Sequence, residues 1–106
     1  MIQLFKNLFG LGPKTDYKTL VQQGAEIVDV RTKGEFISGH IKGSKNIPLN
    51  TLSNNLKTFK DKDKPYILCC ASGMRSGTAK SILKSKGYTN VHNGGSWQSL
   101  QNKIND

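Results

Sequence analysis

Two adjacent cysteines, Cys69 and Cys70, close an apolar run and lead into a turn of small residues ending in an arginine, "ASGMR" (Ala71 to Arg75). A cysteine at such a turn can act as a nucleophile, because backbone amides there can hold the negative charge of the reactive thiolate. Counted from Cys69, five residues precede Arg75, the spacing of a phosphatase-type anion loop. Counted from Cys70, four precede it, and a smaller ring of amides encloses a smaller guest.

The elements around this turn decide where it can sit. "PYILCC" (Pro65 to Cys70) reads as a buried strand, and "SGTAKSILKSKG" after it as a helix. In that helix Ala79, Ile82 and Leu83 share one face and Gly87 is the stop. Upstream, Asp16 caps a helix through "YKTLVQQ", stopped by Gly24, and "AEIVDV" (Ala25 to Val30) is a second strand of the largely apolar kind buried in parallel sheets. "SKNIPLN" supplies a brief extended piece around Ile47, and Asn50 or Ser53 is placed to cap a helix through "NNLKTF". "YTNVHN" reads as a further strand, and "SWQSLQNKI" as a closing helix capped by Ser96. Strands alternating with helices predict an α/β fold with a small, mainly parallel sheet. In such folds ligands bind beyond the carboxyl ends of strands, and Cys70 falls at one of those ends. The helix beginning near Arg75 would then direct its unpaired N–H groups at the sulfur.

Size and composition fit this picture. A chain of 106 residues supports one hydrophobic core, with a short amphipathic helix and linker over residues 1–14 and the domain proper over 15–106. The apolar residues Ile2, Phe5, Leu8 and Phe9 recur at helical spacing. Lys6 and Asn7 break that run, so neither a signal peptide nor a membrane span is expected, and membrane association is not expected either. The formal charge of +9 favours small anions, anionic surfaces or nucleic acid as partners, and its sign alone does not choose among them. Its lysines are scattered and, in "LKTFKDKDK", interleaved with aspartates, a solvated surface and not a nucleic-acid patch. Two cysteines that are sequence neighbours build no disulfide framework and lack metal-ligand spacing, so the expectation is a reducing, cytoplasmic setting without a metal site.

Four segments in order, "IVDVRT" (Ile27 to Thr32), "EFISGHIKGSKNIP" (Glu35 to Pro48), "CASGMRS" (Cys70 to Ser76) and "NGGSW" (Asn93 to Trp97), make the chain resemble a single-domain rhodanese, a sulfurtransferase. The resemblance runs from about Asp16 to the C-terminus. It implies a parallel sheet of four to five strands with helices on both faces. It also implies an active loop of the form Cys-x-x-Gly-x-Arg, matched by Cys70, Gly73 and Arg75. Cys70 is then the nucleophile, with Ala71, Ser72, Gly73, Met74 and Arg75 as the loop that binds the transferred sulfur. Leu68 stands where phosphatases usually carry a histidine, which sets the phosphatase or arsenate-reductase reading behind this one.

The implied chemistry moves a sulfane sulfur from a small anionic donor such as thiosulfate, through a Cys70 persulfide, to cyanide, a small thiol or a protein thiol. A monomer is expected. The non-enzymatic alternative is a persulfide-carrying or regulatory binding module. Strand alternation turns Cys69 away from Cys70, as a small buried hydrophobe, which sets the alternative of a resolving thiol that attacks the persulfide behind it. Arg75 suits two tasks, meeting an anionic donor or tying the loop to Asp29 or Glu35. Asp29 and Arg31 are supporting residues at a strand end, with Arg31 expected to pair with Glu35. His40 is expected to serve structure, since a formed thiolate needs no base. Many rhodanese loops carry a basic residue directly after the cysteine, where this chain has Ala71. Gly94, Gly95 and Trp97 read as a turn into the last helix, with the indole on the core.

Overall fold

The architecture is that of a computed structural model, which describes residues 15–105; the helix expected within residues 1–14 lies outside them. Four parallel strands form one sheet in the order β2-β1-β3-β4: β1 (Glu26–Asp29), β2 (Lys45–Asn46), β3 (Tyr66–Cys70) and β4 (Val91–Ser96). Among the described residues the α-helices are α1 (Tyr17–Gln22), α2 (Lys33–Ser38), α3 (Met74–Ser85) and α4 (Trp97–Asn105). β3 is buried at every residue, which its unbroken apolar run requires of a central parallel strand.

Period-two alternation divides the core. Val28, Val30, Tyr66, Leu68 and Cys70 face one way, against Ala79 and Leu83 of α3 and against Leu52, Phe59 and Tyr88. Ile27, Ile67 and Cys69 face the other way, with Leu100 and Trp97 of α4 and Leu20 and Val21 of α1. Helices therefore cover both faces of a four-stranded sheet. Asp16 caps α1 as expected, its carboxylate accepting from the Thr19 N–H at 3.0 Å.

Three local expectations are corrected. The segment after Pro48 forms two 3-10 turns, Leu49–Asn54 and Leu56–Thr58, in place of an α-helix. Polar side chains there bond backbone carbonyls, Thr51 Oγ1 to Pro48 O (2.9 Å) and Asn55 Nδ2 to Thr51 O (2.8 Å), and compete with α-helical pairing. A helix not expected, α2, starts on a capping box in which the Thr32 hydroxyl accepts from the Glu35 N–H and the Glu35 carboxylate accepts from the Thr32 N–H. "NGGS" continues β4 and is not a turn.

That last segment carries a register shift. β3 and β4 pair Leu68 with Asn93, then Cys70 with Ser96, so β4 advances one residue more than β3. Gly94 sits in the shift with no room for a side chain: a Cβ there would lie 2.9 Å from both Ile67 and Leu100.

Candidate active site

The site grows from the end of β3. Cys70 is its last residue, and the chain turns through Ala71 and Ser72 to Gly73, whose φ of +96° is a left-handed conformation that favours glycine. Gly73 is the N-cap of α3 and has no side chain to satisfy the helix's first N–H groups. Those groups turn to sulfur. The Gly73 N–H donates to Cys70 Sγ at 2.9 Å and the Ser76 N–H at 3.4 Å, with Ser76 Oγ also 3.4 Å away.

These contacts set the ionisation of the two thiols apart. Burial is the largest influence on Cys70 and disfavours its thiolate. The Ser76 hydroxyl and the amides of Ser76, Ser72 and Gly73 together outweigh it, so the pKa lies below that of an ordinary thiol. Cys69, one residue earlier and on the opposite face, is pushed up to about 12 by burial, reinforced by the Asp29 carboxylate. At neutral pH Cys69 is a thiol in an apolar core.

Arg75 ends the loop and binds Glu35 through two hydrogen bonds, Nη1 to Oε1 (2.7 Å) and Nη2 to Oε2 (3.0 Å). Of the two tasks open to it, tying the loop to a carboxylate is the one observed, with Glu35 as partner. Arg31 pairs instead with Asp29, which corrects the expected Arg31–Glu35 contact: Nε reaches both carboxylate oxygens (2.9 and 3.0 Å) and Nη2 reaches Oδ2 (2.7 Å). The Arg31 Nη2 also donates to Gly39 O at 2.6 Å, and the guanidinium lies over the Trp97 ring, 4.9 Å from its centre. Trp97 belongs to the core face that holds Cys69, so this buried pair braces the side of the sheet away from the Cys70 sulfur. His40 is exposed, its ring stacked on Phe36 (centroids 3.7 Å apart) and its Nδ1 2.7 Å from Phe36 O.

Beside the loop, a cleft of about 320 Å³ is lined by Val30, Thr32, Pro48, Leu49, Asn50 and Arg75. Ala71, Ser72 and Met74 form the exposed rim. Among the described residues no group of three or more His, Cys, Asp or Glu could hold a metal ion, and no helix is long and apolar enough to cross a membrane.

Two site residues escaped the sequence reading. Ser76 lies inside the quoted loop motif, and its hydroxyl directly after the arginine was the available signal. Asn93 closes the "YTNVHN" strand and opens the "NGGSW" segment with no role assigned to it; its side chain donates from Nδ2 to Gly73 O (3.0 Å), while its Oδ1 accepts from Ser76 Oγ (2.6 Å) and the Gly95 N–H (3.0 Å). No pattern within one chain announces that contact, because the register shift creates it.

A parallel α/β sheet with an amide-lined cysteine loop at the end of a central strand defines a class of small α/β domains built around one cysteine. Residues 14–103 match the model of the rhodanese-like domain. The chain belongs to the rhodanese-like domain family. It is 38% identical over 69 residues to the Escherichia coli (strain K12) protein named thiosulfate sulfurtransferase PspE, covering 64% of this chain and 66% of that one. It is 41% identical over 69 residues to the Bacillus subtilis (strain 168) protein YqhL, covering 65% of this chain and 54% of that one. The chain thus spans between about half and two thirds of the length of these relatives. Among solved structures it resembles a rhodanese with anions from E. coli, with a TM-score of 0.67 and 32% identity, covering 72% of this chain and 91% of that one. It also resembles a rhodanese-like domain protein from Staphylococcus aureus, with a TM-score of 0.66 and 34% identity, covering 73% and 74%.

Proposed function

We propose that the domain is a sulfurtransferase that carries sulfane sulfur as a persulfide on Cys70, with residues 71–75 as the binding loop. The observation that carries this reading is the pair of N–H groups, Gly73 in the loop and Ser76 in the first turn of α3, that converge on the Cys70 sulfur. Relatives named thiosulfate sulfurtransferase support the same class.

In the first step the Cys70 thiolate attacks the outer sulfur of a donor such as thiosulfate. The donor's S–S bond breaks, sulfite leaves with the electron pair, and Cys70 becomes a persulfide whose terminal sulfur bears the negative charge. The loop amides hold that charge in the manner of an oxyanion hole. In the second step an acceptor nucleophile takes the terminal sulfur and the Cys70 thiolate leaves. Cyanide gives thiocyanate and a thiol gives a new persulfide; small cellular thiols and protein thiols are both suitable acceptors. Neither step needs a metal or organic cofactor.

Arg75 is engaged by Glu35 and the position after Cys70 is Ala71, so no unpaired loop cation awaits a dianion. An organic persulfide is on this ground a better donor than thiosulfate. The apolar side of the cleft, formed by Val30, Pro48 and Leu49, suits the body of such a molecule.

Intact-protein mass spectrometry of the reduced protein, before and after donor, tests the reading in wild type, Cys69→Ser and Cys70→Ser. The expected result is a gain of one sulfur that survives Cys69→Ser, vanishes in Cys70→Ser and reverses with cyanide. No gain from thiosulfate or from glutathione persulfide would overturn it.

A further inference from the structure

Ser76 has one hydroxyl proton and two claimants for it. Its Oγ lies 2.6 Å from Asn93 Oδ1 and 3.4 Å from Cys70 Sγ. The orientation of the Asn93 amide is fixed on both sides, because Nδ2 donates to Gly73 O (3.0 Å) and Oδ1 accepts from the Gly95 N–H (3.0 Å). A flipped amide would set its NH2 against the Gly95 N–H and its carbonyl against Gly73 O. Oδ1 therefore faces Ser76, and the serine hydroxyl must be the donor in the shorter contact. Its proton is spent on Asn93, and Ser76 offers Cys70 a lone pair.

That arrangement suits a Cys70 that bears a proton, since the S–H can donate to Ser76 Oγ. It does not suit a bare thiolate, which would face a lone pair unless the hydroxyl turned. Rotation about one C–O bond brings the proton to Sγ and leaves Asn93 Oδ1 with the Gly95 N–H as its donor. Ser76 is wholly buried, and the backbone carbonyl of Asn93 accepts from the Tyr17 hydroxyl at 3.0 Å, which fixes the chain at that residue. Burial confines the Ser76 hydroxyl to the two partners within its reach, Asn93 Oδ1 and Cys70 Sγ.

We propose that Asn93 is a positioning residue that acts on Cys70 through the Ser76 hydroxyl, parking its proton when the sulfur is protonated or persulfidated and releasing it to Sγ when the bare thiolate stands. In the persulfide the charge moves to the outer sulfur and Sγ no longer needs a donor, so the hydroxyl returns to Asn93. Each half of the transfer would then be accompanied by one turn of the hydroxyl. The same Asn93 side chain tethers Gly73 O, so one residue holds both the loop and its movable donor. The charged groups facing Cys70 are Arg75, neutralised by Glu35, and beyond Cys69 the Asp29–Arg31 pair. None of them changes in the test below.

The proposal rests on Cys70 as the reacting sulfur, and its test needs no sulfur donor. The rate of Cys70 alkylation by iodoacetamide is followed against pH by peptide mass spectrometry in wild type, Asn93→Ala, Ser76→Ala and the double variant. If Asn93 acts through the hydroxyl, Asn93→Ala moves the alkylation midpoint lower when Ser76 is present than in the Ser76→Ala background. The expected difference is about half a pH unit or more. An equal shift in both backgrounds, or a difference of opposite sign, overturns the proposal and leaves Asn93 as a tether only. Should circular dichroism show that Asn93→Ala does not fold, Asn93→Asp decides the matter. Its carboxylate grips the hydroxyl harder, so the midpoint rises more with Ser76 present than without it, and an equal rise overturns the proposal. Failure to form a persulfide would count against the transfer reading and leave this cycle interpretable.

Discussion

The Arg75 guanidinium and the Glu35 carboxylate meet through two hydrogen bonds of 2.7 and 3.0 Å, joining the end of the cysteine loop to the first turn of α2. Glu35 also closes the Thr32 capping box, so one carboxylate serves the loop and the start of a helix. Arg75, with Thr32 of the capping box, lines the cleft beside the loop.

Hydrogen bonding to Arg75 holds the Glu35 carboxyl at about 2, against an ordinary value of 4.5. A depressed carboxyl stabilises the fold fully above its unfolded value, and that contribution drains away as pH falls from 4.5 towards 2. Thermal melts through this window should show a steeper loss for wild type than for Glu35→Gln. Both residues are well exposed, so Glu35→Gln should lower sulfur transfer by less than about tenfold. Parallel melting curves for the two proteins would remove Glu35 as the titrating group.

Asp29→Asn should cost far more. Asp29 is 0% exposed, and the variant would leave the buried Arg31 without its counter-charge, a change worth about 3–5 kcal/mol in comparable buried pairs. Urea unfolding measures it; a loss under about 1 kcal/mol would mean that Gly39 O and the Trp97 ring suffice to hold the guanidinium.

His92 supplies a second pH dependence, nearer neutrality. Burial, with Lys80 and Lys84 nearby, lowers its pKa below 6.5, so the folded protein keeps it neutral where the unfolded chain protonates it. Stability should fall as pH drops through 6.5. Denaturation midpoints at about pH 7.5 and about pH 5.5 should differ more for wild type than for His92→Gln. An unchanged difference would place the pH dependence elsewhere.

Ala71→Lys tests the missing cation at the loop. Position 71 is exposed, and a lysine there should raise kcat/KM for thiosulfate several-fold at low ionic strength and much less at about 0.2 M salt. Turnover of an organic persulfide with less charge than the thiosulfate dianion should change less. No gain for thiosulfate would show that donor charge does not limit capture.

Much of this domain was legible in the chain. The largely apolar stretch Ile27–Val30, broken only by Asp29, and the continuous apolar run Tyr66–Cys70 mark strands buried on both faces, and alternation alone separates Cys69 from Cys70. The helix at Lys33–Ser38 went unread because its six residues bury none of their own and show no apolar period; the Thr-x-x-Glu capping box was the signal present. The 3-10 turns after Pro48 went unread because Thr51 and Asn55 divert backbone carbonyls, a choice between local hydrogen bonds that propensity does not register. Partner choice was least legible. Asp29 and Arg31 lie two residues apart and pair within β1 and its end, whereas Glu35 and Arg75 meet only because α2 is folded over the loop.

Between Leu68 and Cys70 the central strand takes two steps while its neighbour takes three, from Asn93 to Ser96. Residues three apart on a regular strand look to opposite sides, yet here both are opposite residues on the Cys70 side of the sheet. The extra residue acts as a half-period phase shift. Before it the strand is in step with the loop and presents Asn93 to the chemistry; after it the chain is in step with the far core and delivers Trp97 and Leu100 to the other side. A change of one residue in this short stretch would exchange those two audiences, and that makes its length, more than its composition, the quantity the site depends on.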